Sequence, residues 1–153
     1  PAIDTKGSDK VVSRIGIEHK VDILLAPSEI LQEKMKPIKP HAIVVDEAQF
    51  LTTEQVEELY IITKKYDIPV LCYGLRCDFQ MKGFEGSTRL LQLADDIEEL
   101  KTICQCGAKA TQNLRWVNKQ PVFDGEQVVI DDHTQVEYTG VCGKCYLKIR
   151  RKI

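Results

Sequence analysis

The sequence predicts an α/β protein with a mainly parallel sheet, followed by a small cysteine-bearing β-module. Short apolar segments at residues 42–46 and 69–75 alternate with helical patterns, which is typical of a parallel sheet with helices on its faces. From Cys104 onward, short segments rich in β-formers and separated by turn residues replace this alternation. We therefore divide the chain into an α/β domain at residues 1–103 and a second domain at residues 104–153.

Composition describes an ordinary globular chain. The 153 residues carry a net charge of −2, from 21 basic and 23 acidic side chains, so nothing in bulk charge drives binding to nucleic acid or an anionic membrane. No apolar run has the length of a membrane span, and no signal-peptide pattern opens the chain. A cytosolic location is the default expectation.

Local signals predict the elements of the first half in order. Residues 10–17 are ambiguous between extended chain and loop, and residues 21–25 have the pattern of a short strand. Ser28 is a suitable N-cap for a helix over 29–36, which Pro37 ends. After the buried strand 42–46, a further helix is expected, which begins with a capping box formed by Thr52 and Gln55. The residues at helical spacing on its buried face are Val56, Leu59, Tyr60 and Thr63.

The second half is predicted in the same way. A buried strand at 69–75 leads into a polar loop at 76–86, and Ser87 or Thr88 caps a helix that runs through Ala94. The next strand is expected at 97–103. Beyond it, antiparallel strands are expected at 110–117, 126–130 and 138–142, before a solvated basic tail at 148–153.

Two adjacent carboxylates, Asp46 and Glu47, stand at the end of the predicted central strand. Open α/β sheets bind ligands at the carboxyl ends of their strands. Carboxylates there are costly to bury unless a cation or a proton donor compensates them. The pattern therefore fits either a Walker B strand, with Asp46 toward Mg²⁺ and Glu47 able to take a proton, or a strand that ends in a solvated acidic turn.

The six cysteines include two close pairs, Cys104/Cys106 and Cys142/Cys145. Four thiolates on two knuckles match a tetrahedral Zn²⁺ site, and Gly107 and Gly143 allow the sharp turns that such knuckles need. Four thiolates close the coordination shell, so the predicted zinc is structural rather than catalytic. Unpaired core thiols are the alternative.

With both features in place, the chain resembles the thymidine kinase family of the cellular and bacterial type. The similar stretches are residues 3–6, 12–16, 45–50, 69–79, 100–107 and 126–130, with Tyr138, Val141, Cys142 and Cys145. The resemblance implies a RecA-like core joined to a zinc-bearing lasso domain. It also implies transfer of the ATP γ-phosphoryl group to the 5′-hydroxyl of thymidine, a homotetramer, and dTTP as a feedback inhibitor.

The resemblance assigns site residues as well. Glu47 is the implied general base, and Asp46 holds Mg²⁺ through water. The implied nucleotide side comprises Asp4, Thr5, Lys6, Asp46, Glu47, Ala48 and Gln49. On the nucleoside side, Phe79 would stack on thymine, Leu75 and Phe50 would form apolar walls, and Tyr138 would close a lid. Backbone groups of Val128, Val129, Ile130 and Asp131 would contact the base.

The chain departs from the family pattern at three places. No glycine starts the expected phosphate-binding loop, G-x-x-x-x-G-K-S/T, so a first strand, loop and helix of about 30 residues are expected before Pro1. A chain that truly began at Pro1 would lack kinase activity, because phosphate positioning dominates phosphoryl transfer. Lys6 replaces a frequent arginine, and Asp131-Asp132 replaces a frequent Gly-Gly.

Two other functions fit the same patterns. A RecA-like ATPase or DNA-handling module with a zinc ribbon would share the acidic strand end and the four cysteines. The near-neutral charge and the single tryptophan argue against a nucleic-acid groove. A non-enzymatic interaction module on an inactive α/β core is the third possibility.

Overall fold

The computed structural model describes residues 10–12, 16, 18–127 and 135–151. The chain forms two compact units. The first comprises Pro1–Arg76 and Phe84–Asp95, and the second comprises Cys77–Gly83 and Asp96–Ile153. The functional boundary after residue 103 stays a prediction.

The first unit is built from short strands and three α-helices in the part of the chain that is described. Its elements are β1 (Lys10–Val12), β2 (Glu18–Lys20), α1 (Leu31–Met35), β3 (Ile43–Val45), a 3₁₀ turn (Ala48–Phe50), α2 (Thr53–Tyr66), β4 (Val70–Cys72) and α3 (Glu85–Leu93). Strands β1 and β2 pair antiparallel, whereas β3 and β4 pair parallel with Ile43 opposite Val70 and Val45 opposite Cys72. The mixed α/β class and the parallel pairing are confirmed.

Among the described residues, only one face of the parallel β3–β4 pair is packed against a core. Helix α2 contributes Val56, Leu59 and Ile62 to the core, which partly covers Ile43 and Val45. The alternate side chains face outward, and Val44 is 68% exposed. The prediction of a strand buried on both faces is therefore wrong for this structure, because period-2 alternation places successive side chains on opposite faces and only one face is packed.

The capping box at the start of α2 is confirmed. The Thr52 hydroxyl accepts a hydrogen bond from the Gln55 amide at 3.3 Å, and the Gln55 side chain accepts one from the Thr52 amide at 3.2 Å. The predicted buried face is partly wrong, since Tyr60 is 40% exposed and Ile62 is 1% exposed. Tyr60 follows buried Leu59 and is therefore rotated from it by about 100° around the helix, which places it at the edge of the buried face of α2.

Two predicted helix starts are wrong. Helix α1 begins at Leu31 after Ile30, not after Ser28. Instead of a Ser28 cap, the Glu29 carboxylate accepts a hydrogen bond from the Ala26 amide at 2.7 Å, which holds this segment as a turn. Helix α3 begins at Glu85, and Ser87 lies inside it with its hydroxyl donating to a backbone carbonyl. Residues 21–25 also form no strand.

The second unit is an antiparallel β structure closed by a helix. Its elements are β5 (Thr102–Ile103), β6 (Lys109–Ala110), β7 (Gln112–Val117), β8 (Gln120–Val122), β9 (Val136–Val141) and α4 (Gly143–Arg150). The larger sheet has the order β8-β7-β9, with both pairings antiparallel. Its core comprises Cys104, Leu114, Phe123, Val141, Cys142 and Tyr146.

Several strand predictions in this unit are wrong. Only residues 102–103 of the predicted strand 97–103 are in a strand, and they pair antiparallel with β6 around the first cysteine knuckle. Strand β7 is followed by β8 rather than by a strand at 126–127, because Asn118 and Lys119 both adopt left-handed backbone angles, which suits a two-residue hairpin turn. Residues 128–130 lie outside the described part. The predicted solvated tail is helical as far as Arg150.

None of the helices in the described part of the chain is both long and apolar enough to cross a membrane.

We expect Thr52→Ala to lower the free energy of unfolding by about 1 kcal/mol, because it removes the hydroxyl acceptor of the capping box. Urea denaturation of the purified protein measures the change. Thr53→Ala is the matched control, since Thr53 is the first residue of the helix and its side chain takes no part in the box. Equal stability of the two variants would contradict the assignment.

Candidate active site and metal centre

The carboxyl end of β3 carries the first candidate acid. Asp46 directly follows the strand and is exposed, and its Oδ1 accepts a hydrogen bond from the Glu47 amide at 3.0 Å. The Asp46 carboxylate therefore carries no cost of burial in this structure. An exposed carboxylate at a strand end retains open oxygen positions that a hydrated cation can approach.

Glu47 is held differently. Its backbone φ of 51° lies in the left-handed region, which is uncommon for a residue with a side chain. Such backbone strain persists only where the surrounding structure enforces it, and it clusters at functional sites. The side chain is half-buried, and its Oε2 accepts a hydrogen bond from Gln49 Nε2 at 2.5 Å. The Glu47 carboxylate therefore has a defined position.

Gln49 connects this carboxylate to the end of the neighbouring strand. Its side chain is 2% exposed, and its Oε1 accepts a hydrogen bond from the Leu75 amide at 3.1 Å. The Ala48 amide donates to the Tyr73 carbonyl at 2.8 Å in the same segment. A Cβ atom at Gly74 would stand 2.7 Å from Gln49 Oε1, so only glycine fits there without displacement.

The predicted apolar walls also lie in the first unit. Phe50 is half-buried and packs edge-on against Phe84, with ring centroids 5.6 Å apart. The Leu75 side chain is 44% exposed, although its backbone is held at both ends. Its carbonyl accepts a hydrogen bond from the Ser87 hydroxyl at 2.5 Å, in addition to the amide contact with Gln49. The structure thus brings Glu47, Gln49 and Leu75 into one hydrogen-bonded group.

Phe79 and Tyr138 lie in the second unit. Phe79 is 1% exposed, so its ring is buried in this structure. The Arg115 guanidinium carbon stands 3.6 Å from the centroid of the Phe79 ring. Tyr138 is 45% exposed, and its hydroxyl accepts a hydrogen bond from Arg115 Nε at 2.9 Å.

Part of the predicted site falls outside the described residues. This applies to Asp4, Thr5, Lys6, Val128, Val129, Ile130 and Asp131.

The four predicted metal ligands are together. The Sγ atoms of Cys104, Cys106, Cys142 and Cys145 all lie within 4.8 Å of one another. The Cys106 and Cys142 sulfurs are 3.6 Å apart. Tetrahedral zinc with Zn–S bonds of about 2.3 Å separates its sulfurs by about 3.8 Å, so the cluster fits such an ion closely. These four cysteines could hold a metal such as zinc.

Local backbone structure forms the two knuckles. Gly107 has a φ of 83°, and its amide donates to the Cys104 carbonyl at 2.8 Å, which closes the first turn. In the second knuckle, Cys142 is the N-cap of α4, and its sulfur accepts a hydrogen bond from the Cys145 amide at 3.4 Å. Each C-x-C or C-x-x-C pair is thus held by backbone hydrogen bonds as well as by its spacing.

The electrostatics of the cluster favour a bound cation. Hydrogen bonds from the backbone amides of Cys106 and Cys142 lower the pKa of the Cys104 thiol to about 6. The amide of Cys145 likewise lowers the pKa of Cys142. The thiols of Cys106, Cys142 and Cys104, in that order of effect, raise the pKa of Cys145 to about 12. Four thiolates cannot share this space without a positive ion, and a divalent metal supplies that charge.

Comparison with known proteins identifies the family of this chain. The family described as "Thymidine kinase" matches residues 1–146. The thymidine kinase of Enterobacteria phage T4 is 43% identical and covers 100% of this chain and 80% of its own length. The chain belongs to the thymidine kinase family. The thymidine kinase of Streptococcus gordonii is 45% identical over 96% of this chain and 78% of its own, and that of Rhodopirellula baltica is 48% identical over 93% and 69%.

Two features of the structure do not follow from family membership alone. Arg115, which is 2% exposed, and the link from Gln49 to Leu75 were not predicted from the sequence as structural contacts. The available signal for Arg115 is its position between Leu114 and Trp116 in a strand, where a charged residue needs buried partners. Gln49 was predicted on the nucleotide side, and no local pattern indicates its contact with Leu75.

We expect about one zinc per folded chain by elemental analysis, as four thiolate ligands require. Cys106→Ser should lower the zinc content below about half per chain, because serine oxygen is a poor replacement for a soft sulfur ligand. Trp116 packs against this core and is the single tryptophan, so its emission should change when a chelator removes the metal.

Cys77→Ser is the matched control, since Cys77 lies in the same unit but outside the cluster. A wild-type zinc content below about half per chain would remove the metal assignment altogether.

Proposed function

We propose that this chain transfers the γ-phosphoryl group of ATP to the 5′-hydroxyl of thymidine. The observation that carries the proposal is the position of Glu47, two residues after the end of a parallel strand, with its carboxylate held by buried Gln49. A carboxylate at the carboxyl end of a parallel strand lies where α/β sheets bind their ligands. Membership of the thymidine kinase family supports the choice of substrate.

Glu47 acts as the general base in this proposal. A base must hold its oxygen within hydrogen-bond reach of the hydroxyl proton that it removes. Gln49 donates to one carboxylate oxygen, Oε2, which leaves Oε1 for the substrate hydroxyl. Because Gln49 is buried and also accepts from the Leu75 amide, the carboxylate cannot rotate freely away from that direction.

Asp46 would hold Mg²⁺ through water, and that ion would neutralise charge on the transferred phosphoryl group. The exposed carboxylate of Asp46 keeps one oxygen, Oδ2, outside its hydrogen bond with the Glu47 amide. The remaining nucleotide-side residues of the proposal are Asp4, Thr5, Lys6, Ala48 and Gln49, assigned by resemblance.

The nucleoside side of the proposal is assigned residue by residue from the family resemblance. Phe50 and Leu75 form apolar walls, and Tyr138 presents a ring that is 45% exposed. Phe79 is assigned to stacking on thymine by resemblance, and in this structure its ring is buried and lies against Arg115. Backbone groups of Val128, Val129, Ile130 and Asp131 complete the assignment by resemblance.

The zinc has a structural role in this proposal, because four thiolates leave no open coordination position for substrate. We further propose a RecA-like core for residues 1–103 and a zinc-bearing lasso domain for residues 104–153. A cytoplasmic homotetramer that is inhibited by dTTP completes the family-based proposal.

The proposal is tested by incubating the full-length protein with ATP, Mg²⁺ and thymidine and measuring dTMP. We expect saturable turnover and no affinity for single-stranded DNA at low salt. Tight, salt-sensitive binding of single-stranded DNA without thymidine turnover would instead support the DNA-handling alternative.

Glu47→Gln should lower kcat by about 10²–10⁴-fold, because the amide keeps the shape of the side chain but cannot accept the proton. Thymidine affinity, measured by calorimetry, should change little. Glu33→Gln, at an exposed position of α1, is the control and should leave kcat unchanged. A Glu47→Gln variant with kcat within about tenfold of wild type would exclude Glu47 as the base.

A further inference from the structure

Strand β7 packs two different sets of residues on its two faces. Leu114 and Trp116 lie on the face that packs with the cysteine cluster. Asn113 and Arg115 alternate with them and so lie on the opposite face. On that face, Asn113 Nδ2 donates to the Cys77 carbonyl at 3.1 Å, and Arg115 covers the ring of Phe79. The loop Cys77–Gly83 is therefore held by this face of β7.

Arg115 joins three separate segments of the second unit. Its Nε donates to the Tyr138 hydroxyl at 2.9 Å, which ties it to β9. Its two terminal nitrogens donate to the carbonyls of Glu126 and Gln127 at 2.8 and 2.9 Å. Its planar face lies 3.6 Å from the centroid of the Phe79 ring. One side chain thus contacts the Phe79 loop, the 126–127 segment and Tyr138.

The burial of Arg115 is unusual. The residue is 2% exposed, and none of the ion pairs formed among the described residues includes it. Its charge is compensated instead by two carbonyl dipoles, a phenol oxygen and an aromatic ring. A buried cation without a carboxylate is costly unless its hydrogen bonds are satisfied, so a residue of this kind needs a specific reason to be present.

The contacts of Arg115 require a guanidinium group. Its donors lie in one plane with a fixed fork geometry, and that plane can stack on a ring while its edge makes hydrogen bonds. A lysine ammonium group has the same charge, but it cannot donate in three fixed directions and stack at the same time. Substitution by lysine therefore separates the charge of Arg115 from its geometry.

We propose that Arg115 is a positioning residue for the nucleoside side of this enzyme. It fixes the Phe79 loop and the hydroxyl of Tyr138 in one arrangement, and so determines affinity for the nucleoside without touching it. The inference rests on the proposed thymidine kinase activity and on the assignment of Phe79 and Tyr138 to the nucleoside. It predicts that the geometry of the guanidinium group, rather than its charge, controls nucleoside binding.

The test compares Arg115→Lys with wild type in the full-length, zinc-loaded protein. We expect the KM for thymidine to rise at least about tenfold, with kcat and the KM for ATP within about threefold of wild type. Arg150→Lys is the matched control, because Arg150 also lies near an aromatic ring of the same unit, at 5.9 Å from the Phe123 centroid, but is exposed. It should leave both KM values unchanged.

A second variant keeps the test independent of the first. Tyr138→Phe retains the ring but removes the acceptor for Arg115 Nε, and it should raise the KM for thymidine by a smaller factor. If Arg115 acts through Tyr138, the thymidine KM of the double variant should rise by a factor well below the product of the factors measured for the two single variants. A double variant whose KM rises by the full product of the two factors would overturn the proposed coupling.

The remaining outcomes are also decisive. An unchanged thymidine KM in Arg115→Lys would overturn the proposal. Equal rises in the KM values for thymidine and ATP, or a loss of zinc, would also overturn it, because either result would indicate a merely structural residue. Wild-type protein that fails to phosphorylate thymidine would contradict the proposed function instead. The two failures are therefore distinguishable in one set of measurements.

Discussion

The second unit depends on the close approach of four sulfur atoms. The first cysteine knuckle joins β5 to β6, and the second joins β9 to α4, so these elements meet at the cluster. The apolar core beside it is small and comprises Leu114, Phe123, Val141 and Tyr146 with two of the cysteines. Cores of this size rarely stabilise a fold alone, and a metal is a common supplement. The four-cysteine cluster is therefore the point at which β5, β6, β9 and α4 of this unit come together.

Strand β7 lies between the cysteine cluster on one face of the sheet and the Phe79 loop on the other face. Leu114 packs on the cysteine side, whereas the next residue, Arg115, holds the Phe79 loop and Tyr138. Tyr146 supports the same loop from α4, because its hydroxyl donates to the Phe79 carbonyl at 2.7 Å. Leu114 of β7 packs in the same core as Cys104 and Cys142, α4 begins directly after Cys142, and both elements contact the Phe79 loop. A structural metal can thus influence the proposed nucleoside site without contacting substrate.

The features predicted correctly from sequence are those with local causes. The Thr52 capping box and the cysteine spacing depend on residues close in the chain, and both are confirmed in geometry. Two kinds of competitor explain the differences from prediction. Ser28 is not a cap because a local turn held by Glu29 takes its place. Phe79 is buried because Arg115, 36 positions further along the chain, covers its ring. No alternation pattern or propensity in a single segment reports such a partner. The roles assigned to individual site residues stay predictions.

The strand-end acid of the first unit shows how a local partner and a distant partner together constrain a site. Glu47 adopts a left-handed backbone, and Gln49, two residues later, holds its carboxylate. The same buried amide accepts from Leu75, and Gly74 leaves it the necessary space. The position of the proposed base and the position of a proposed nucleoside wall therefore share one side chain. A change that moves Leu75 therefore also shifts the side chain that holds the Glu47 carboxylate, so in the proposed function the apolar wall and the base are coupled through Gln49.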